Sequence, residues 1–145
     1  MIYRHYGSDH FDKTLFNPIT NVMGNKPFGG LWACDKEQNP WYTFCKMNDF
    51  KLQSLDTYFD FKLKPDAKIL IIDHDKVSKF LPTVYNDLLD EYFLDFEYLA
   101  KNYDVIIYNM GYSLHPDFYG WDVNSILVMN PNVIEEVDNE YNWNK

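Results

Sequence analysis

The sequence is poor in cysteine and arginine and has no long hydrophobic run, and each shortage excludes a class of protein. Its two cysteines, Cys34 and Cys45, are too few for a disulfide framework or a zinc site. No apolar run approaches the roughly 18 residues of a transmembrane helix, and the N-terminus has no signal-peptide pattern. We therefore expect a cytoplasmic protein, bacterial or viral, that does not enter membranes.

Positive charge is also scarce, and arginine most of all. The formal net charge is −9 at pH 7, and Arg4 is the only arginine, beside twelve lysines. The negative charge excludes nonspecific binding to nucleic acids and anionic membranes, because both need a basic surface. A lone arginine indicates a position that needs its planar guanidinium, although a coding bias against arginine explains the same count.

The size and apolar content predict one domain over residues 1–145, ending in an acidic tail, residues 138–145, that frays. Hydrophobic residues make up 46% of the chain and aromatic residues 19%, which is ample for a core. Tyrosine and phenylalanine exceed ordinary usage, so some of these rings are expected around a ligand.

Residues 26–45, KPFGGLWACDKEQNPWYTFC, contain the most informative local pattern. The pair Gly29-Gly30 lets the backbone bend and lie close to a flat partner. Residues 31–34 then predict a short buried strand. Asn39 and Pro40 predict a helix start, with Asn39 as N-cap. Together they predict either the wall of a pocket for a planar ring or a turn between two core elements.

Hydrophobic periodicity predicts the remaining elements. Predicted strands span residues 2–6, 58–64, 68–72, 105–108 and 121–129. The run 68–72 is apolar throughout, which indicates a central strand. Residues 81–101 carry apolar side chains at three- and four-residue steps, which predicts a long amphipathic helix. The twelve-residue loop 109–120 is long enough to indicate a functional segment.

Polar residues on the first and last of these strands are the candidate catalytic groups. Strand alternation places Arg4 and Tyr6 on one face of the first strand and His5 on the other. Asp122 and Asn124 share one face at the start of the last strand, which is otherwise apolar. They are expected where that strand leaves the core and opens onto a cleft.

Two clusters contain residue types that bind metals, but neither predicts a metal site. The spacing of His5, Asp9, His10 and Asp12 fits no standard site. The segment 73–75, DHD, directly follows a predicted strand, and a solvated turn with a helix cap is the favoured interpretation. We therefore expect no bound metal.

Three blocks of sequence resemble the ADP-ribosyltransferase fold of the diphtheria-toxin and poly(ADP-ribose)-polymerase type. They are residues 3–8 (YRHYGS), residues 29–33 (GGLWA) with Trp41 and Tyr42, and residues 120–128 (GWDVNSILV). Their order along the chain agrees with that family. The resemblance implies an α+β protein with a split β-sheet core around a central cleft and a long amphipathic helix.

The blocks also depart from the family pattern. In the polymerase-like branch histidine usually directly precedes glycine, whereas Tyr6 here separates His5 from Gly7. The toxin-like branch begins its motif with an arginine, a role open to Arg4. The catalytic acid of the family is usually glutamate, and here either Asp122 or Asn124 holds that position. With Asn124 there, the protein is a weak catalyst or only a binder.

The resemblance implies that NAD is a substrate and that mono-ADP-ribose is transferred to a protein or nucleic-acid acceptor. Its implied catalytic residues are Asp122, Asn124 and His5. Its implied NAD-binding residues are Arg4, His5, Tyr6, Gly7, Gly30, Trp32 and Tyr42. Nicotinamide would stack near Trp32 and Tyr42, Arg4 or His5 would hold a ribose hydroxyl or the pyrophosphate, and Asp122 would stabilise an oxocarbenium-like transition state.

An alternative from another class is a non-catalytic acidic binding or inhibitor protein of phage or bacterial origin. Such proteins occupy a nucleic-acid groove by presenting carboxylates in dense rows. The net charge fits this alternative. The acidic residues are spread from Asp56 to Glu140 without a dense row, which favours the transferase.

Overall fold

A computed structural model describes residues 1–22, 25–73, 81–109, 118 and 120–138. The described residues form nine β-strands and two α-helices, so the predicted α+β class is confirmed. The strands are β1 Tyr3–Tyr6, β2 Leu31–Asp35, β3 Tyr58–Leu63, β4 Ile69–Asp73, β5 Thr83–Asn86, β6 Glu91–Leu94, β7 Val105–Asn109, β8 Ser125–Val128 and β9 Ile134–Val137. The helices are α1 Pro40–Asn48 and α2 Phe96–Asn102.

Seven strands form one mixed sheet in the order β4-β7-β8-β2-β1-β3-β9, and β5 pairs with β6 in a separate hairpin. Strands β4 and β7 run parallel, and the other paired strands are antiparallel. Neighbouring buried residues of β7 fall into two core clusters, Ile106 into one and Val105 into the other. Because alternate residues point to opposite faces, the sheet is covered on both sides here.

The predicted positions of the first strand, the second strand and the first helix are confirmed, although in β2 only Cys34 is buried as predicted. Arg4 lies opposite Asp60 and His5 opposite Phe59, so neighbouring side chains point to opposite faces as predicted. Pro40 occupies the first turn of α1. Asn39 is at the N-cap position but does not cap, because its side-chain oxygen accepts a hydrogen bond from the Tyr6 hydroxyl instead, at 2.7 Å.

The predicted long helix over residues 81–101 is wrong. Residues 83–94 form the β5–β6 hairpin, and only residues 96–102 are helical. Two side chains favour a turn and a later helix start over one continuous helix. Asn86 accepts hydrogen bonds from the backbone of the hairpin turn, and Asp95 caps the first turn of α2 by accepting from the Tyr98 backbone nitrogen. Such caps favour turns and helix starts over helix interiors.

The predicted central strand at residues 68–72 is an edge strand in the described part of the chain. β4 pairs there with β7 alone, and Ile69 and Ile71 are 39% and 58% exposed. The predicted strand 121–129 is also shorter, since β8 begins at Ser125. Asp122 and Asn124 therefore lie on the segment that enters the strand. Most of the loop 109–120, two residues of the segment 73–75 and most of the acidic tail lie outside the described residues.

The glycine pair approaches the chain's own backbone, which gives a stability prediction. Gly29 has a φ of +91°, and an added Cβ would lie 2.1 Å from the carbonyl oxygen of Pro18. We expect Gly29→Ala to lower the free energy of unfolding by about 3–4 kcal/mol. Gly7→Ala is the control, because φ is +112° but nothing lies within 4 Å of the added Cβ. It should cost about 1–2 kcal/mol from backbone strain. Equal losses in urea unfolding would contradict this interpretation.

Candidate active site

The candidate site lies where the pairing of the sheet divides within one strand. Residues 34–35 of β2 pair with β1, whereas residues 31–33 pair with β8. β1 therefore separates from β2 beyond Arg4. At the next residue the ring nitrogen Nδ1 of His5 lies 2.6 Å from the Trp32 carbonyl oxygen. A side-chain hydrogen bond thus takes over where the backbone ladder between these two strands ends.

A cavity of about 260 Å³ opens at this division. Five of the predicted site residues line it: Arg4, His5, Tyr6, Trp32 and Asp122. They come from all three blocks of sequence that the family resemblance rests on. The volume is slightly below the roughly 300–1,000 Å³ of common small-molecule sites. It therefore has room for one end of a dinucleotide.

Indole rings form much of the cavity wall. Trp32 meets Trp121 edge to face, with ring centroids 4.6 Å apart, and Trp41 lines the cavity from α1. Trp121 is buried, and its indole N–H donates to the Asn25 carbonyl oxygen at 2.8 Å. This fixed ring holds Trp32 in place. The Lys26 ammonium lies 4.7 Å from the centre of the Trp32 ring, so a planar ligand stacking on that face must displace it.

Arg4 lines the cavity, but its guanidinium is committed to a buried carboxylate. Its Nε and Nη2 donate to the two oxygens of Asp60 at 2.7 and 3.0 Å, and its guanidinium carbon lies 3.7 Å from the centre of the Tyr58 ring. The hydrogen bond to Asp60 raises the pKa of Arg4 despite the opposing effect of burial. Two of its five N–H donors already hold Asp60, so the geometry gives little support to the predicted phosphate-binding role of Arg4.

His5 is placed as a neutral ring whose second nitrogen accepts no hydrogen bond from the described residues. A carbonyl oxygen can only accept, so Nδ1 carries the proton that bonds to Trp32, and Nε2 keeps a lone pair. Burial lowers the pKa of His5, and the hydrogen bond to the Trp32 carbonyl offsets only part of that effect. At neutral pH His5 can accept a hydrogen bond from a ligand hydroxyl but cannot pair with a phosphate as a cation.

The lowered pKa of His5 predicts a loss of stability in mild acid. The unfolded chain binds this proton with the ordinary pKa of 6.5, above that of the folded protein. The free energy of unfolding should therefore fall as the pH drops below 6.5. His5→Asn keeps a donor for the Trp32 carbonyl and removes the titration. Urea unfolding from pH 7.5 to 5 should show a shallower decline in this variant, and parallel declines would contradict the assignment.

Asp122 is the predicted acid that reaches the cavity. It is exposed, lines the cavity, and its negative charge acts on Lys26. Asn124 is exposed, and it is not among the described residues that line this cavity. The geometry therefore does not support its predicted catalytic position, and it precedes β8 instead of lying on the strand as expected.

Tyr42, Gly7 and Gly30 lie elsewhere than predicted. Tyr42 is 40% exposed and packs against the Tyr6 ring, while its neighbour Trp41 faces the cavity. Gly7 ends β1 with its backbone N–H donating to the Thr57 carbonyl oxygen at 2.9 Å. An added Cβ on Gly30 would lie 2.7 Å from a methyl group of Leu127, so this glycine serves core packing. None of the three is among the described residues that line this cavity, so its geometry does not support their assignment as NAD-contacting residues.

The sequence prediction missed two lysines at the cavity. Lys26 stands at the start of the stretch with the glycine pair, and Lys51 follows α1. Each is an ordinary exposed lysine in sequence terms. Only Lys26 could have been suspected from the sequence, because it directly precedes the Pro27–Gly30 turn that leads into β2.

A larger groove, about 710 Å³, lies between the β5–β6 hairpin and α2. Its acidic residues already have structural roles. Asp95 caps α2, and Glu97 accepts a hydrogen bond from the Asn21 backbone nitrogen at 2.8 Å. The smaller cavity at the sheet division is the better candidate, because polar side chains and three tryptophans line it together.

Comparison of the chain with protein-family models, with curated proteins and with solved structures found no match. Among the described residues, no group of three or more metal-ligating side chains comes together. In that same part of the chain, no helix has the length and apolar character needed to cross a bilayer.

Proposed function

We propose that the protein is an NAD-dependent ADP-ribosyltransferase that modifies a protein or nucleic-acid acceptor. The observation that carries the proposal is that one carboxylate, Asp122, shares a cavity with His5 and with the indole rings of Trp32 and Trp41. A planar leaving group and a nascent sugar cation need this combination of groups within one ligand length.

The reaction breaks the bond between nicotinamide and the anomeric carbon of the ribose. The bonding electrons leave with nicotinamide, and the sugar acquires oxocarbenium character, as in glycoside hydrolysis. The Asp122 carboxylate stabilises that positive charge through space. An acceptor nucleophile then bonds to the anomeric carbon and releases its proton, so nicotinamide, a proton and the ADP-ribosylated acceptor are the products.

The neighbouring groups orient the substrate. The free Nε2 of His5 accepts a hydrogen bond from a ribose hydroxyl, which a neutral imidazole does well. The nicotinamide ring stacks on the indole face of Trp32, where the positively charged pyridinium gains from the negative face of the ring. For nicotinamide to stack on Trp32, the Lys26 side chain must move off the face of the Trp32 ring.

Titration with NAD tests binding, and nicotinamide release tests turnover. Trp32, Trp41 and Trp121 line the cavity, so intrinsic tryptophan emission should be quenched as it fills. NAD labelled in the adenylate, incubated with cell lysate and separated into protein and nucleic-acid fractions, identifies the acceptor class. The proposal would be overturned if NAD caused no quenching and no nicotinamide were released in the presence of lysate. Quenching without release would show a nucleotide-binding protein without transferase activity.

A further inference from the structure

The charge of the cavity is opposite to that of the protein as a whole. The chain has a net charge of −9, yet Lys26 and Lys51 both line the cavity while Asp122 is the one carboxylate among its described lining residues. Arg4 is neutralised by Asp60, and His5 is uncharged at neutral pH. Among the described lining residues, cations that remain uncompensated therefore outnumber carboxylates two to one.

The two lysines line the same cavity, and their ammonium groups lie over different aromatic rings, that of Lys26 over Trp32 and that of Lys51 over Phe50. Neither makes a salt bridge with the part of the chain that the structure describes. Burial lowers the pKa of Lys26, the charge of Lys51 lowers it further, and Asp122 offsets part of this. Like charges on one cavity disfavour each other, and a bound anion would relieve that repulsion.

The backbone fixes where Lys51 stands. Its φ of +48° is left-handed, a conformation that is uncommon for a residue other than glycine. The Lys51 carbonyl oxygen accepts from both the backbone nitrogen and the hydroxyl of Ser54, at 3.0 and 2.7 Å. Ser54 also lines the cavity. The lysine is thus held at the cavity by its own turn.

We infer that Lys26 and Lys51 bind the diphosphate of a nucleotide whose other end occupies the tryptophan-lined cavity. The inference deepens the proposed function and rests on it for the identity of the nucleotide. It gives the diphosphate-binding role to these lysines instead of Arg4. Each lysine provides a point charge with three donors, which suits phosphate oxygens at the open side of the cavity.

Binding measurements on the full chain test the inference with three probes: ADP-ribose, inorganic pyrophosphate, and nicotinamide riboside, which lacks phosphate. Changing both residues, Lys26→Ala with Lys51→Ala, should weaken ADP-ribose and pyrophosphate binding on the order of 10–100-fold. Nicotinamide riboside should bind with nearly unchanged affinity. The salt dependence of ADP-ribose binding should also become shallower. Lys64→Ala, an exposed lysine away from the cavity, is the matched control.

Unchanged ADP-ribose affinity in the double variant, or no pyrophosphate binding by the unmodified protein, would overturn the inference. An unchanged midpoint of urea unfolding in the double variant would show that its loss of affinity does not come from unfolding. Nicotinamide release is measured separately. Lysine-dependent ADP-ribose binding without nicotinamide release supports the lysine site and contradicts the transferase, whereas release with no lysine dependence contradicts the lysine site alone.

Discussion

Asp122→Asn is expected to slow nicotinamide release from NAD on the order of 10²–10³-fold. The substitution keeps the shape of the side chain and removes the negative charge that would stabilise the sugar cation. Asp122 is exposed and precedes β8, so the fold should be unaffected. The measurement is the initial rate of nicotinamide release at saturating NAD, together with the NAD affinity from tryptophan quenching, which should change little.

Two further variants make the Asp122 result specific. Asp66→Asn removes an exposed carboxylate in the turn before β4 and should leave the rate unchanged. Asn124→Ala separates the two alternatives for the acid position. If Asn124→Ala slows release and Asp122→Asn does not, the catalytic position belongs to residue 124 and the mechanism given to Asp122 is wrong.

Asp60→Ala is expected to lower the free energy of unfolding by about 3–5 kcal/mol. The Asp60 side chain is fully buried, and Arg4 and Lys36 both pair with it, at 2.7 and 3.3 Å. Removing the carboxylate leaves Arg4, only 15% exposed, without its counter-ion. Replacing both charges, Arg4→Met with Asp60→Leu, should cost less than Asp60→Ala alone, because the guanidinium is then no longer buried without a counter-ion and only the more exposed Lys36 loses its partner.

Glu135→Ala is the matched control for Asp60→Ala. Glu135 is also a strand carboxylate with a cationic partner, since it lies 3.2 Å from Lys62, but both side chains are about half exposed. Such surface pairs contribute about 0–1 kcal/mol. The measurement is the free energy of unfolding of both variants in urea. Similar losses of this free energy would show that burial of the Arg4–Asp60 pair contributes little.

The Asp60 contribution should disappear in acid. Burial raises the pKa of Asp60, but the hydrogen bonds and charges of Arg4 and Lys36 outweigh it, so the pKa lies below its ordinary 3.8. The folded protein thus holds this proton less readily than the unfolded chain. The stabilisation is complete above that ordinary value and is lost as the pH falls from 3.8 through the lower folded pKa. The difference between the wild type and Asp60→Ala should shrink over the same range.

Strands in which apolar and polar residues alternate could be predicted from the sequence. The residues that contact their polar side chains could not. The alternation in residues 58–63 gives β3 correctly and marks Asp60 as a polar-face residue. Polar faces are usually solvated, yet Asp60 is fully buried because Arg4, 56 residues earlier in the chain, lies beside it. Only the pairing of β1 with β3 brings these two charges together.

The same limit explains the site residues. The three sequence motifs indicated a shared site, and five of their residues do line one cavity: Arg4, His5, Tyr6, Trp32 and Asp122. Trp41 and Tyr42 are neighbours on one helix, and the sequence alone does not determine which of the two faces the cavity. The predicted helix over residues 81–101 failed for a local reason: an apolar period of three to four residues cannot distinguish a helix from a hairpin whose turn begins at Asn86.

The divided pairing of β2 has a mechanical consequence. Because residues 31–33 are bonded to one neighbour and residues 34–35 to another, each half of the sheet keeps its own ladder. A small change in backbone torsion between Ala33 and Cys34 would move one half against the other without breaking any strand pair. The width of the cavity would change with it, and the His5 bond to the Trp32 carbonyl and the packing of Phe59 and Phe61 against Ile126 and Val128 would resist that motion.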